Sequence, residues 1–134
     1  MYLTKKAAVL ASTVALVAGA GVMGAPTASA AVECGGQANA TTVKSVKVDN
    51  ATVELRYSAS TRCAWARVSG AHVNDLVWVD RTSNNAATWD SLEIKAVTSG
   101  TDAFTLPYSD KGYKMRACAD LRSTTGHWKC TGWY

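Results

Sequence analysis

The sequence predicts an all-β protein, a small disulfide-stapled β-sandwich or barrel of about seven short antiparallel strands. Three observations lead to this fold class. Apolar and polar residues alternate with a period of two, the spacing of a strand, and helical spacing does not recur. Turn-forming Gly, Asn, Asp and Ser interrupt the alternation every roughly 8 to 12 residues. The four cysteines of this short chain can form two cross-links.

Residues 1–30 have the parts of a secretory signal peptide. Lys5 and Lys6 supply the positive start, an apolar run covers 7–24, and residues 28–30 read Ala-Ser-Ala, an A-x-A cleavage signal. No stop-transfer pattern follows, and no later segment approaches the roughly 20 apolar residues of a membrane span. We therefore expect secretion to the extracellular space, with no membrane association after cleavage.

The mature chain is expected to comprise a flexible N-terminal arm over 31–42 and a single β domain over 43–134. Loss of Lys5 and Lys6 leaves 12 basic and 10 acidic side chains, a net charge of +2. These charges are spread along the domain and form no block of one sign. The sequence therefore does not favour nucleic acid or an anionic membrane as a partner.

The strands are predicted in order from the alternation and from the turn residues between them. They cover residues 46–48, 53–58, 64–68, 76–79, 92–96, 113–121 and 127–134. The fourth is apolar on both faces, which indicates a strand in the middle of a sheet or one covered by a second sheet. A helix is conceivable only around 86–96, where Thr88 and Ile94 weaken it.

The last two strands predict a hairpin and, with it, a disulfide. The loop between them, 122–126, is polar and ends in glycine. If Leu121 faces His127, Cys118 lies directly opposite Cys130, at a Cα separation of roughly 4.5 to 5.5 Å that permits a disulfide.

Of the three pairings open to four cysteines, this one leaves Cys34 to bond Cys63 and tie the arm to the body. A zinc site would need close pairs of Cys or His. His72 and His127 stand apart and no C-x-x-C occurs, so we expect no metal and no cofactor.

The sequence offers no catalytic signature, and we expect no enzyme. There is no G-x-S-x-G, and the predicted bridges leave no free thiol. His72 and Asp75 form the only close His/Asp pair and are typical of a polar loop. Glu54 and Glu93 fall on polar sides of strands, and nothing pairs them as glycosidase carboxylates would be paired.

Exposed Trp and Arg side chains favour binding. The candidate partner-binding residues are Val32, Glu33, Arg56, Trp65, Arg67 and Trp133. Trp78 and Trp89 are expected to fill the core. Outward-pointing strand residues should form one charged face, composed of Glu54, Arg56, Arg67, Lys114 and Arg116.

Four short motifs of the chain resemble the YjfA-type family of small exported proteins of Gram-positive bacteria, whose function is unknown. They are residues 53–58 (Val-Glu-Leu-Arg-Tyr-Ser), Cys63, residues 65–68 (Trp-Ala-Arg-Val) and residues 116–118 (Arg-Ala-Cys). The resemblance implies a disulfide-bonded β domain without known catalytic residues. In size, export signal and strand content the chain is also similar to the small adaptor subunits of umbrella toxin particles. That similarity implies a lectin-like protein and a toxin stalk as partners, with the arm inserting into one of them.

The leading hypothesis is thus a secreted, non-enzymatic adaptor that links other proteins in an extracellular antibacterial assembly. Two alternatives remain open. A protease inhibitor would present a loop at Arg62-Cys63 or at residues 110–112. A cell-wall or carbohydrate-binding module would use Trp65 and Trp133.

Overall fold

This computed structural model describes Cys34 and residues 37–134. That part of the chain contains nine short strands. They are β1 (Thr41–Val48), β2 (Ala51–Ser58), β3 (Cys63–Ser69), β4 (Leu76–Thr82), β5 (Asp90–Ala96), β6 (Ala103–Phe104), β7 (Tyr108–Ser109), β8 (Lys114–Asp120) and β9 (Trp128–Cys130). Residues 37–134 contain no helix, and the described residues include no helix that could span a membrane. The predicted signal peptide, Val32 and Glu33 lie outside the described residues.

The strands pair antiparallel in two sheets. One sheet has the order β9-β8-β4-β5; the other has the order β1-β2-β3-β6, with β7 also pairing with β3. We call these the four-stranded and the five-stranded sheet. Strands β8 and β4 pack against β2 and β3, so that the sheets form a sandwich. The predicted all-β, disulfide-bonded fold is confirmed.

The core lies between the inner faces of the sheets. On both sheets it consists of alternate strand residues, as the period-two pattern requires. Fully buried examples are Val53, Leu55, Ala66 and Val68 from the five-stranded sheet, and Val77, Val79, Met115 and Ala117 from the four-stranded sheet. Strand β4, predicted to be central, pairs with β8 on one side and β5 on the other.

Both predicted disulfides are present, Cys34–Cys63 and Cys118–Cys130. In the hairpin β8–β9, Cys118 pairs directly with Cys130, and the backbone N–H of Leu121 donates to the carbonyl of His127 at 2.9 Å. Gly126, at a φ of 77°, closes the loop. The two bridges indicate that this domain folds in an oxidising compartment.

The strand predicted over 92–96 is present as β5, preceded by a loop, and the conceivable helix near 86–96 is absent. Two other features differ from the prediction. The two-residue strands β6 and β7 are too short for an alternation pattern to reveal them. The predicted arm ended at Thr42, but β1 begins at Thr41, and the Arg56 guanidinium on β2 donates to the Thr42 hydroxyl at 2.7 Å.

The expected core tryptophans are not in the core. Val77 and Val79 take the inner positions of β4, which places Trp78 on the outer side, where it is partly exposed. Trp89 precedes β5 and is 47% exposed. A strand that is apolar on both sides does not reveal which side is inner, and here the smaller valines occupy the narrow space between the sheets.

Candidate binding face

The outer surface of the four-stranded sheet carries four of the five tryptophan side chains. Trp78 lies between Cys118 and Ile94 in the strand register, and Trp128 pairs with Asp120. We call this surface the tryptophan face. Its members are Trp78, Trp89, Ile94, Arg116, Trp128 and Trp133. Ile94 is 60% exposed and Trp128 is 61% exposed, so this is an accessible apolar surface.

At one end of the tryptophan face, Arg116 contacts two indole rings. Its guanidinium carbon lies 4.7 Å from the ring centroid of Trp89 and 4.5 Å from that of Trp133. The two rings are 6.0 Å apart and tilted by 60°. Such cation–π contacts fix the orientation of all three side chains.

A buried carboxylate holds this cluster from below. Asp80 is 1% exposed, and Arg116 Nε donates to its Oδ2 at 2.9 Å. The Ser91 hydroxyl donates to Asp80 Oδ1 at 2.6 Å. These three residues lie side by side on β8, β4 and β5. The sheet register therefore builds a rigid support for Arg116 and, through Arg116, for the two tryptophans.

Of the predicted partner-binding residues that the structure describes, Trp133 lies on the tryptophan face. Trp65, expected to be exposed, is only 6% exposed. Arg56 donates to Thr42 and to the carbonyl of Ala40. Arg67 forms ion pairs with Glu54 and Asp102. The predicted interface on the five-stranded sheet thus consists of a buried ring and arginines that already have partners.

The expected single charged face is also divided. Glu54, Arg56 and Arg67 belong to the five-stranded sheet, whereas Lys114 and Arg116 belong to the four-stranded sheet. Sequence alternation assigns a side chain to one side of its strand, but it does not assign the strand to a sheet. The prediction failed for that reason.

The His/Asp pairs act as loop supports. Asp75 Oδ1 accepts hydrogen bonds from the Ser123 backbone N–H at 2.9 Å and from the Ser123 hydroxyl at 2.5 Å, while Oδ2 accepts from the His72 backbone N–H. Burial favours the neutral carboxyl, but the hydrogen bonds from Ser123 and His72 outweigh it and lower the Asp75 pKa. Asp75 therefore fastens the β8–β9 loop to the β3–β4 loop.

Asp49 supports the same loop from the β1–β2 turn. The Thr125 hydroxyl donates to it at 2.7 Å, and His127 Nδ1 lies 3.1 Å from each of its oxygens. The hydrogen bonds from Thr125 and His127 lower the Asp49 pKa. Both hydroxyls, of Ser123 and Thr125, bond to carboxylates and not to an imidazole, which is unlike a nucleophile next to its base.

Glu54 and Glu93 lie on different sheets and are used structurally. Glu54 contacts Arg67, and Glu93 Oε1 accepts from the Leu106 backbone N–H and from the Tyr108 hydroxyl.

Asp80, Cys118 and Cys130 are close enough to suggest metal ligands. Both sulfurs are bonded to each other, however, and a metal needs thiolates.

A family model described as a protein of unknown function, DUF2690, matches residues 25–118. The chain belongs to the DUF2690 family. The match ends before β9 and Trp133, so it covers only part of the tryptophan face. Searches of curated proteins and of solved structures gave no match.

The sequence contains part of the information that locates the tryptophan face. The hairpin register already put Cys118 opposite Cys130, which places Trp128 and Arg116 on the same side of the sheet. The missing step was the pairing of β8 with β4, which adds Trp78 and Asp80 to that side. Strands distant in sequence supply this information only when their pairing is known.

Proposed function

We propose that this DUF2690 protein is a secreted, non-enzymatic binding module that docks onto another protein through its tryptophan face. The observation that carries the proposal is the Trp89–Arg116–Trp133 cluster, which is partly exposed and held by buried Asp80. Trp and Arg are the residues most enriched among the hot spots of protein interfaces.

The rigidity of the cluster favours tight docking. Binding costs free energy when flexible side chains must be ordered at an interface. Here Asp80 and Ser91 already fix Arg116, and Arg116 fixes both rings. Trp78, Ile94 and Trp128 extend the apolar surface beyond the cluster. A partner with an apolar patch of its own fits this surface, since the charge of Arg116 is already neutralised by Asp80.

The adaptor role that we infer from the resemblance to umbrella toxin subunits requires two partners. In this proposal, the tryptophan face binds one of them. The N-terminal arm is the proposed site for the other, joined to the body at Cys63 and adjoining β1. The lectin-like protein and the toxin stalk are the partners that this role predicts, and the assembly would be antibacterial.

Affinity capture of the tagged mature protein from its native culture medium tests the proposal. Each captured protein is then purified and its dissociation constant measured. Replacing Trp89 and Trp133 with Ala should weaken binding by about 100-fold or more, because each is placed as a hot spot. Ile94→Asp should also weaken it, without touching the cluster.

Phe104→Ala is the matched control, because Phe104 is 55% exposed but lies on the five-stranded sheet. This variant should bind as the wild type does. A partner that binds the Phe104 variant and both tryptophan-face variants equally would contradict the proposal, as would a protein that emerges from its medium as a free monomer.

A further inference from the structure

A second candidate site is a cleft of about 670 Å³ between the loops that follow β4 and β7. Among its lining residues are Arg62, Ser83, Asn85, Asp110, Tyr113 and Lys114, and Tyr134 closes one side. The cleft belongs to neither the tryptophan face nor the loops that Asp49 and Asp75 support.

The floor of the cleft has an unsatisfied acceptor. Asp110 is 8% exposed, and its Oδ1 is buried without a hydrogen-bond partner among the described residues. Buried polar atoms without partners are rare in native proteins and point to a missing ligand or water. A hydroxyl group is one of the neutral donors that would satisfy this oxygen.

Two aromatic rings are fixed at the cleft. Arg81 lies 4.1 Å from the Tyr113 ring centroid, and Tyr57 packs against Tyr134 at 5.3 Å. Tyr113 nevertheless remains 38% exposed and Tyr134 remains 44% exposed. Each ring is therefore held in place by a neighbour while part of its surface stays open to a flat, partly apolar ligand.

Two cations line the cleft, and one of them, Arg62, is near enough to the Asp110 carboxyl to offset part of the effect of burial on its pKa. Arg62 and Lys114 are both exposed, and neither forms an ion pair with a carboxylate in the described part of the chain. By contrast, Arg67 and Arg116 on the sheets are both paired. Two unpaired cations suit a ligand that carries an anionic group.

The cleft walls are held by hydrogen bonds. Asp110 N donates to the carbonyl of Arg62 at 3.0 Å, and Arg81 Nη1 donates to the carbonyl of Ser109 at 3.0 Å. On the other wall, the Thr82 hydroxyl donates to the carbonyl of Thr88 at 2.6 Å. These bonds hold the loops on both sides of the cleft in place.

We infer that this cleft binds an acidic saccharide. A sugar hydroxyl donates to Asp110, the C–H face of the sugar ring packs on Tyr113 or Tyr134, and a carboxylate or phosphate on the sugar pairs with Arg62 and Lys114. The exposed hydroxyl of Ser83 and amide of Asn85 add contacts suited to the many hydroxyl groups of a sugar. An acidic peptide offers fewer hydroxyl groups to these side chains.

NMR titration of the full mature chain, labelled with ¹⁵N, tests the inference. The probes are a hyaluronan tetrasaccharide, which carries carboxylates, and chitotetraose, its neutral counterpart. The acidic sugar should shift the amide signals of residues 83–86 and 110–114. Replacing Arg62 and Lys114 together with Ala should weaken it about tenfold, as should Tyr113→Ala.

Lys47→Ala, which removes an exposed lysine of β1, is the charge control and should leave the affinity unchanged. Trp89→Ala should also leave it unchanged, which separates this inference from the docking proposal. Equal shifts with inorganic phosphate or tetraglutamate would show an anion or peptide site instead. Equal binding of chitotetraose, or no shift with either sugar, would also overturn the inference.

Discussion

At the scale of single residues, the most consequential side chain is Asp80, a carboxylate buried on the outer side of a sheet. It neutralises Arg116 and accepts from Ser91, so that removing it leaves a half-buried cation without a partner. Breaking one side of a buried pair costs more than the pair contributes by itself. The tryptophan face therefore depends on a residue that is itself buried.

Asp80→Ala is expected to lower the free energy of unfolding by about 3 kcal/mol and to shift the tryptophan emission to longer wavelength. Asp102→Ala is the matched control. Its carboxylate lies at the same distance from an arginine, 2.9 Å, but the Arg67 and Asp102 side chains are 40% and 44% exposed. This control should cost about 1 kcal/mol or less. If urea unfolding gave the same loss of unfolding free energy for both variants, the role given to Asp80 would be contradicted.

Asp75 makes a prediction about acid stability. Hydrogen bonds from Ser123 and His72 outweigh burial and hold its folded-state pKa below the ordinary 3.8. A lowered folded-state pKa stabilises the fold above the unfolded value, and this contribution is lost as the pH falls through the folded value. Asp75→Asn should therefore cost about 2 kcal/mol at pH 7, and the difference from wild type should shrink toward pH 2. A difference in urea midpoint that is constant with pH would refute this account.

Asp110 predicts the opposite dependence. Burial raises its pKa, an effect that Arg62 only partly offsets. A raised folded-state pKa favours the fold below the unfolded value, and this advantage is lost as the pH rises through the folded value. Asp110→Asn should thus stabilise the protein at pH 7 by on the order of 1 kcal/mol, and this gain should shrink as the pH falls through the raised folded-state pKa and be absent below about 3.8. Exposed Asp90→Asn is the control, and a loss of stability at pH 7 on Asp110→Asn would be the contrary result.

At the scale of elements, the β8–β9 hairpin is the part of the fold that the sequence predicts most completely. Its loop length, register and disulfide were predicted because local turn residues determine them. The longer strands were predicted because their alternation is local as well. The assignment of strands to sheets was not, since β8 pairs with β4 across more than thirty residues. That pairing unites Asp80 with Arg116 and therefore creates the binding face.

The hairpin disulfide predicts a loss of stability on its removal. Cys118 and Cys130 close a short loop, with a sequence separation of 12. Replacing both with Ala should lower the free energy of unfolding by about 3 kcal/mol, through the greater entropy of the unfolded chain. The comparison is made by urea unfolding without reductant. A variant as stable as the wild type would show that the bridge adds nothing to the hairpin.

At the scale of the whole molecule, an apolar core and two disulfides hold the two sheets together. The outer faces of the sheets carry different side chains. The outer side of the five-stranded sheet has paired arginines and a buried Trp65, whereas the four-stranded sheet presents the tryptophan face. Four of the five tryptophans thus line one surface of the described part of the chain, and docking through that surface is the central proposal.

Cross-saturation NMR on the complex with a purified partner tests this claim most directly. The chain is labelled with ²H and ¹⁵N, the partner is irradiated, and the indole N–H signals are followed. The signals of Trp89, Trp128 and Trp133 should lose intensity, while that of buried Trp65 should not. Loss confined to β1, β2 or Trp65, with the three exposed indoles unaffected, would contradict docking through the tryptophan face.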